Sequence, residues 1–341
     1  MNEKMAPALP LTGLNLIEIA DSLEKWGIDR KYASRVAYWI YKKRMEDITS
    51  MTSIAGAIRK RLSEHFITGI TPPSKRVASS DGSVKYLFSF PGGREVETVF
   101  IPEAKRNTVC VSAQCGCARA CLYCRTGEMG FHGNLTAGEI VNQVLALPEA
   151  ATVSHVVFMG MGEPLDNLSE VIRAIEIFTA EWGLAIGNAN ITVSTVGIIP
   201  SIEELLSSTR CNLTLSLVSP VAEERKRLVP AEALYPAAMI IELLKSAPPS
   251  KKRRFTVAYM MLDGVNDSER HLEALKELIR GSAIRVNLLT YHPHGDMSFR
   301  PSRRERMEQF RKGLLAAGIS ASIRKSRGED IAAACGMLIS K

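Results

Sequence analysis

From residue 107 onward, short apolar runs of strand character alternate with amphipathic runs of helical period, and this alternation restricts the architecture more than any other feature. The strand-like runs are Thr108–Ser112, Val153–Met159, Asn190–Ser194, Asn212–Leu217, Phe255–Met260, Ile284–Leu289 and Ile319–Arg324. Between them the spacing predicts helices over 136–147, 168–180, 199–208, 234–246, 267–280 and 302–317. Thr136 and Glu139 form a capping-box start for the first of these. Repeated βα units imply an α/β fold, a parallel sheet or partial (βα) barrel whose chemistry gathers at the strand C-terminal ends.

The preceding chain has a different pattern. Leu14, Ile17, Leu23, Val36, Ile40, Ile54, Ile58 and Leu62 recur at helical spacing, and Pro72-Pro73 closes this stretch. Lys85–Phe90 and Glu95–Ile101, separated by Pro91-Gly92-Gly93, read as a hairpin. The expected organisation is a helical accessory module over 1–75, a β-rich connector over 76–106 and the barrel over 107–341.

Hydrophobic residues make up 46% and charged residues 23% of the chain, the balance of a soluble globular protein. No apolar stretch approaches bilayer length, and Met1 to Gly13 lacks the apolar core of a signal peptide, so a cytoplasmic location without membrane attachment is expected. Seven cysteines, five of them crowded into Cys110–Cys124, do not form the pattern of a secreted disulfide framework. The net charge of +7 is concentrated in clusters: Lys42-Lys43-Arg44, Arg59-Lys60-Arg61, Arg225-Lys226-Arg227, Lys251-Lys252-Arg253-Arg254, Arg303-Arg304 and Arg324-Lys325. Any one run can be a solvated helix face, but the set points to phosphate contacts and a nucleic-acid partner.

Cys117-Ala-Arg-Ala-Cys121-Leu-Tyr-Cys124 lies directly after the first barrel strand. Three neighbouring thiolates are soft ligands suited to zinc or to an iron–sulfur cluster. A structural zinc asks for a fourth ligand. Three local ligands suit a four-iron cluster that keeps one iron open, and Tyr123 and the strand–helix array favour that reading. The spacing is that of the radical-SAM superfamily, which makes the expected fold a partial radical-SAM barrel. Phe158-Met-Gly-Met-Gly162-Glu163-Pro164 ends the second strand: its glycines let backbone approach a ligand, and Glu163 offers a carboxylate to an ammonium. Alone, such a turn is more often only a tight βα loop.

Over nearly its whole length the chain resembles the RlmN/Cfr family of radical-SAM RNA adenine methyltransferases. The resemblance rests on Val96–Pro102, Cys110–Gln114, the cysteine motif, Gly160–Pro164, Val193–Thr195, Arg227–Pro230, and Arg324–Ile331 running into Ala334-Cys335-Gly336. The N-terminal helices around Tyr38–Tyr41 and Ala57–Arg59 resemble the family's RNA-binding module. The resemblance implies a 4Fe-4S cluster on Cys117, Cys121 and Cys124, and two S-adenosylmethionine (SAM) molecules per turnover. The RNA partner would be large-subunit rRNA or tRNA, and the electron donor a flavodoxin or ferredoxin. One SAM would methylate Cys335, and the other would yield a 5′-deoxyadenosyl radical that activates that methyl. Cys110 would resolve the RNA adduct through a transient disulfide, and Glu97 would accept a proton. SAM contacts carry over to Gly162, Glu163, Ser194 and Ser216-Leu217-Val218. Val218 stands where the family usually has His, His292 precedes Pro293 where it has Asn, and Ala332 replaces an Asp. An imidazole donates or accepts as an amide does, so His292 is expected to keep its SAM contact. Cys115 is an extra thiol, and Cys211 reads as core.

Overall fold

The computed structural model describes residues 8–247, 253–294 and 298–339. Ten strands form one sheet whose spatial order follows chain order. They are β1 (Lys75–Ala78), β2 (Val84–Phe90), β3 (Arg94–Glu103), β4 (Arg106–Val111), β5 (His155–Phe158), β6 (Ile191–Thr195), β7 (Asn212–Ser216), β8 (Phe255–Met261), β9 (Arg285–Thr290) and β10 (Ala321–Ile323). β1 to β4 pair antiparallel, whereas every pair from β4 to β10 is parallel. The seven expected parallel strands and the hairpin are therefore present, and β1 is added to their edge.

Parallel pairing demands a crossover, and the expected helices supply it. α3 (Ala137–Leu145), α4 (Leu168–Thr179), α5 (Ile199–Ser208), α7 (Ala237–Ser246), α8 (Glu269–Ile279) and α9 (Arg304–Ala316) follow α1 (Leu16–Lys25) and α2 (Gly56–His65) of the N-terminal part. A short helix, α6 (Ala222–Leu228), lies inside the β7–β8 connection. Val109, Val156, Val193, Leu213, Val257 and Val286 are fully buried, while Thr108, Val157, Thr192, Asn212, Thr256 and Arg285 alternate with them and face the barrel lumen. Most parallel strands are apolar on both faces; these are apolar on one and largely polar on the other. Among the described residues β10 pairs only with β9, so the barrel is open. Beyond β10 the chain turns back to β1–β3: Asp330 accepts from Ser79 Oγ and Ser80 N, Gly328 N donates to Asp81, and Ile339 N donates to Glu97.

The N-terminal helices do not stand apart. Leu11, Ile19, Leu23, Val36, Ile40 and Leu62 belong to the same buried core as the barrel strands and helices. Tyr41 packs against Trp182 and its hydroxyl donates to Leu14 O at 2.6 Å. Gly13 meets Gly138 of α3 so closely that a Cβ on Gly138 would stand 2.5 Å from Thr12 O. Gly138→Ala is therefore expected to destabilise the fold by about 1–3 kcal/mol through overpacking, read as a lower midpoint in chemical denaturation. Among the described residues no helix is long and apolar enough to cross a membrane.

Candidate active site

The cysteine loop leaves β4 through a short ribbon, Gln114–Gly116 paired with Phe131–Asn134. Cys117 N donates to Gly130 O, and Cys124 N donates to Cys121 O, folding the loop back on itself. Cys117, Cys121 and Cys124 all line one cavity at the C-terminal ends of β4–β9. Burial pushes the Cys117 thiol up to about 12 and Cys121 higher still. Left bare, these groups stay protonated; bound to cationic iron, thiols ionise, so the donor set fits a cluster. Among the described residues no group of three or more His, Cys, Asp and Glu side chains is arranged to hold a single metal ion. Three thiols are the donor set that a four-iron cluster with one open iron would take.

Gly162, Glu163, Ser194, Ser216 and Val218 line the same cavity. Gly162 has φ +91°, and a Cβ there would stand 2.4 Å from Gln114 Cβ, so glycine is required for this turn. Gln114 Oε1 accepts from Glu163 N at 2.8 Å, a support the sequence reading missed. Glu163 is 3% exposed. Its carboxylate accepts from Leu165 N at 3.0 Å and Val196 N at 2.9 Å, bridging the ends of β5 and β6. Burial raises its pKa to about 7 against the pull of those N–H groups, and an arriving ammonium would restore the charge. Ser194 Oγ and Ser216 Oγ stand 3.4 Å apart across β6 and β7. Val218 holds φ +62°, an outlier for a β-branched residue at the position of a family His.

Other expected residues fall elsewhere. Leu217 is fully buried in the core, away from the cavity lining. His292 faces the lumen beneath the cavity, where Nε2 stands 2.8 Å from Ser326 Oγ, and burial lowers its pKa. Glu97 lines neither space: it is 2.8 Å from Lys85 Nζ and accepts from Ile339 N at 2.9 Å, so it anchors the C-terminal segment. Lys85 Nζ also donates to Ala332 O, at the residue that replaces the family Asp. Cys335 lines both the upper cavity and the lumen, and Cys110 lines the lumen. Burial, with a contribution from Cys335, pushes Cys110 up to about 12. Cys115 donates to Glu95 O and lines neither space, and Cys211 is buried beside Thr209. All seven cysteines are free thiols.

One basic cluster is corrected. Arg225 is 0% exposed, paired with Glu232, and donates to Leu217 O, Val196 O and Ser216 O, clamping the ends of β6 and β7 beneath the cavity. It has no face for a phosphate; only Lys226 and Arg227 of that run are exposed. Arg225→Met leaves Glu232 buried and uncompensated, and is expected to cost about 3–5 kcal/mol in denaturant unfolding. Lys251 and Lys252 lie outside the described residues. Lys43, Lys60, Arg61, Arg303 and Arg304 are exposed, and Arg324 and Lys325 line the lumen.

Residues 111–278 match the Radical SAM superfamily model, and residues 9–68 match that of the ribosomal RNA large subunit methyltransferase N-terminal domain. The chain is 44% identical over 328 residues to a probable dual-specificity RNA methyltransferase RlmN of Parabacteroides distasonis, covering 96% of each. It is 38% identical to the dual-specificity RNA methyltransferase RlmN of Geobacter sulfurreducens, covering 99% of this chain and 94% of the relative. The crystal structure of a radical SAM methyltransferase from Sphaerobacter thermophilus superposes with a TM-score of 0.92 at 37% identity, over 97% of this chain and 99% of that one.

Proposed function

The chain belongs to the RlmN family of radical-SAM RNA methyltransferases, and from that footing we propose that it methylates carbon 2 or carbon 8 of an adenine through a methyl group carried on Cys335. Large-subunit ribosomal RNA is the proposed main substrate and transfer RNA the second. The N-terminal family match and the dual-specificity name of the relatives support that choice.

One observation carries the reading: Cys335 sits where the cavity of the cluster cysteines meets the lumen that holds Cys110. Both adenine carbons are electron-poor, so they cannot displace a methyl from a sulfonium directly. A thiolate can, and Cys335 takes the methyl by displacement. When bound, the cluster and SAM supply a carbon radical able to remove hydrogen from that thioether methyl. Glu163 accepts the SAM ammonium beside Ser194, Ser216 and the glycine backbone at Gly162, and His292 reaches the ligand from the lumen side. After the base has been attacked, Glu97 is the proposed acceptor of its proton. The adduct's unpaired electron passes back to the redox carrier. The Cys110 thiolate attacks the Cys335 sulfur, the S–C bond breaks with its pair on the carbon, which takes a proton as the new methyl, and a disulfide joins the two cysteines. Two SAM molecules serve each turnover, with electrons from a flavodoxin or ferredoxin.

Mass mapping of ribosomal and transfer RNA tests the substrate. RNA from a strain lacking this gene should lose methyladenine at specific sites, and the wild-type gene should restore it. Unchanged methyladenine in both RNA classes would refute the assignment.

A further inference from the structure

Barrel interiors of this general kind are filled by layers of branched apolar side chains. Here the lumen is hollow and polar. Thr108, Asn190, Thr192, Asn212, Thr256 and Asn287 line it, and it encloses about 470 Å³. That is the size of an ordinary ligand pocket, roughly 300–1,000 Å³. Its charge is one-sided: Arg106, Arg254, Arg285, Arg324, Lys325 and Arg327 line it against one carboxylate, Glu103.

The cations have an order. Arg106 and Arg285 open β4 and β9, and Arg254 immediately precedes β8, so these three ring the N-terminal mouth. Arg324, Lys325 and Arg327 follow β10 toward Cys335. No carboxylate among the described residues pairs with Arg254 or Arg285. Hydrogen bonding to Arg106 holds Glu103 below the usual carboxylate range, with Arg327 and Arg324 adding to it. Burial lowers the His155 pKa, helped by Arg106 and Arg254. These groups share one field directed into the lumen.

We propose that the lumen is an entry for small anions from the N-terminal face, and that its occupant is a low-molecular-weight thiol bearing carboxylates, which reduces the Cys110–Cys335 disulfide. The occupant rests on the two-cysteine reading above; the passage does not. On the reading above, RNA delivers its base to the cavity at the strand C-terminal ends, whereas this mouth opens on the opposite side of a lumen that both cysteines line. The small thiolate attacks one sulfur of the disulfide; the S–S bond breaks, and its electron pair leaves on the other cysteine, which takes a proton. A second small thiol displaces the first from the mixed disulfide. Two cysteine thiols result, and one external disulfide carries away the oxidation.

The passage is tested on full-length, cluster-loaded protein with two thiol reagents of equal size, ethylsulfonate methanethiosulfonate and its trimethylammonium counterpart. Labelling is scored by mass on the Cys335 peptide that carries no methyl, and in parallel on Thr192→Cys, a reporter in the lumen alone. The anionic reagent should react on the order of tenfold faster at low salt, with the preference fading as salt rises. The Arg254→Glu/Arg285→Glu pair, far from the cluster and without a carboxylate partner among the described residues, should reverse the preference while leaving iron content and SAM cleavage unchanged. Equal rates for both reagents, or a preference that survives the double substitution, would overturn the passage. The occupant is tested separately on enzyme oxidised after turnover. 3-Mercaptopropionate should reduce the Cys110–Cys335 link faster than 2-mercaptoethanol in wild type only. A charge-selective lumen in protein that never forms that link would remove the thiol and the two-cysteine reading together.

Discussion

Replacing Cys117, Cys121 or Cys124 with Ala is expected to abolish iron and acid-labile sulfide loading, and SAM cleavage with it. The three thiols line one cavity with Glu163 and Ser194, and no other cysteine of the loop faces it. Cys115→Ala should leave iron content nearly unchanged, because Cys115 is turned toward Glu95 O. Iron lost from Cys115→Ala but retained in Cys117→Ala would refute the ligand assignment. Anaerobic purification followed by iron and sulfide analysis makes the comparison.

Cys335→Ala should eliminate RNA methylation while retaining the cluster and SAM cleavage, since Cys335 faces the cavity from the C-terminal segment rather than from the cysteine loop. The loss should be complete, because neither adenine carbon can take the methyl without the carrier. Cys110→Ala should separate the steps: the methyl is loaded and the base attacked, but release fails. Its expected signature is a nuclease-trimmed nucleotide bound covalently at Cys335. Normal turnover by Cys110→Ala would remove the resolving role alone.

The barrel was legible because its strand–helix alternation is local, and each predicted parallel strand lies within a few residues of the observed one. The cysteine loop was legible for the same reason: its three cysteines lie within eight residues of chain, and the fold brings them to one cavity. The lumen was not. An inward Thr192 or Asn212 has the sequence character of a solvent-facing strand residue, and only closure of the sheet turns those residues toward one another. Arg225 misled for a related reason: a basic run on a helix reads as solvated, but its first member turns under β6 and β7 to satisfy three backbone carbonyls.

Glu97 was placed by motif, yet one of its two partners comes from the far end of the chain. The bond from Ile339 N is a product of tertiary folding that no local pattern encodes. The N-terminal helices were recognised as elements, but their shared core with α3 and α4 was not. Deleting residues 1–70 would expose that core, so charge reversal at Lys43, Lys60 and Arg61 is the cleaner probe of RNA contact. Reversal there is expected to weaken RNA binding and flatten its salt dependence while sparing SAM cleavage, measured by filter binding across a salt series.

The methyl relay through Cys335 is tested most directly by the mass of the C-terminal tryptic peptide from cells fed methyl-deuterated methionine. One labelled methyl on Cys335 is expected in wild-type protein, and the same label should appear on the RNA adenine after turnover in unlabelled SAM. An active enzyme whose Cys335 carries no methyl, or RNA labelled only from the SAM in solution, would contradict the account.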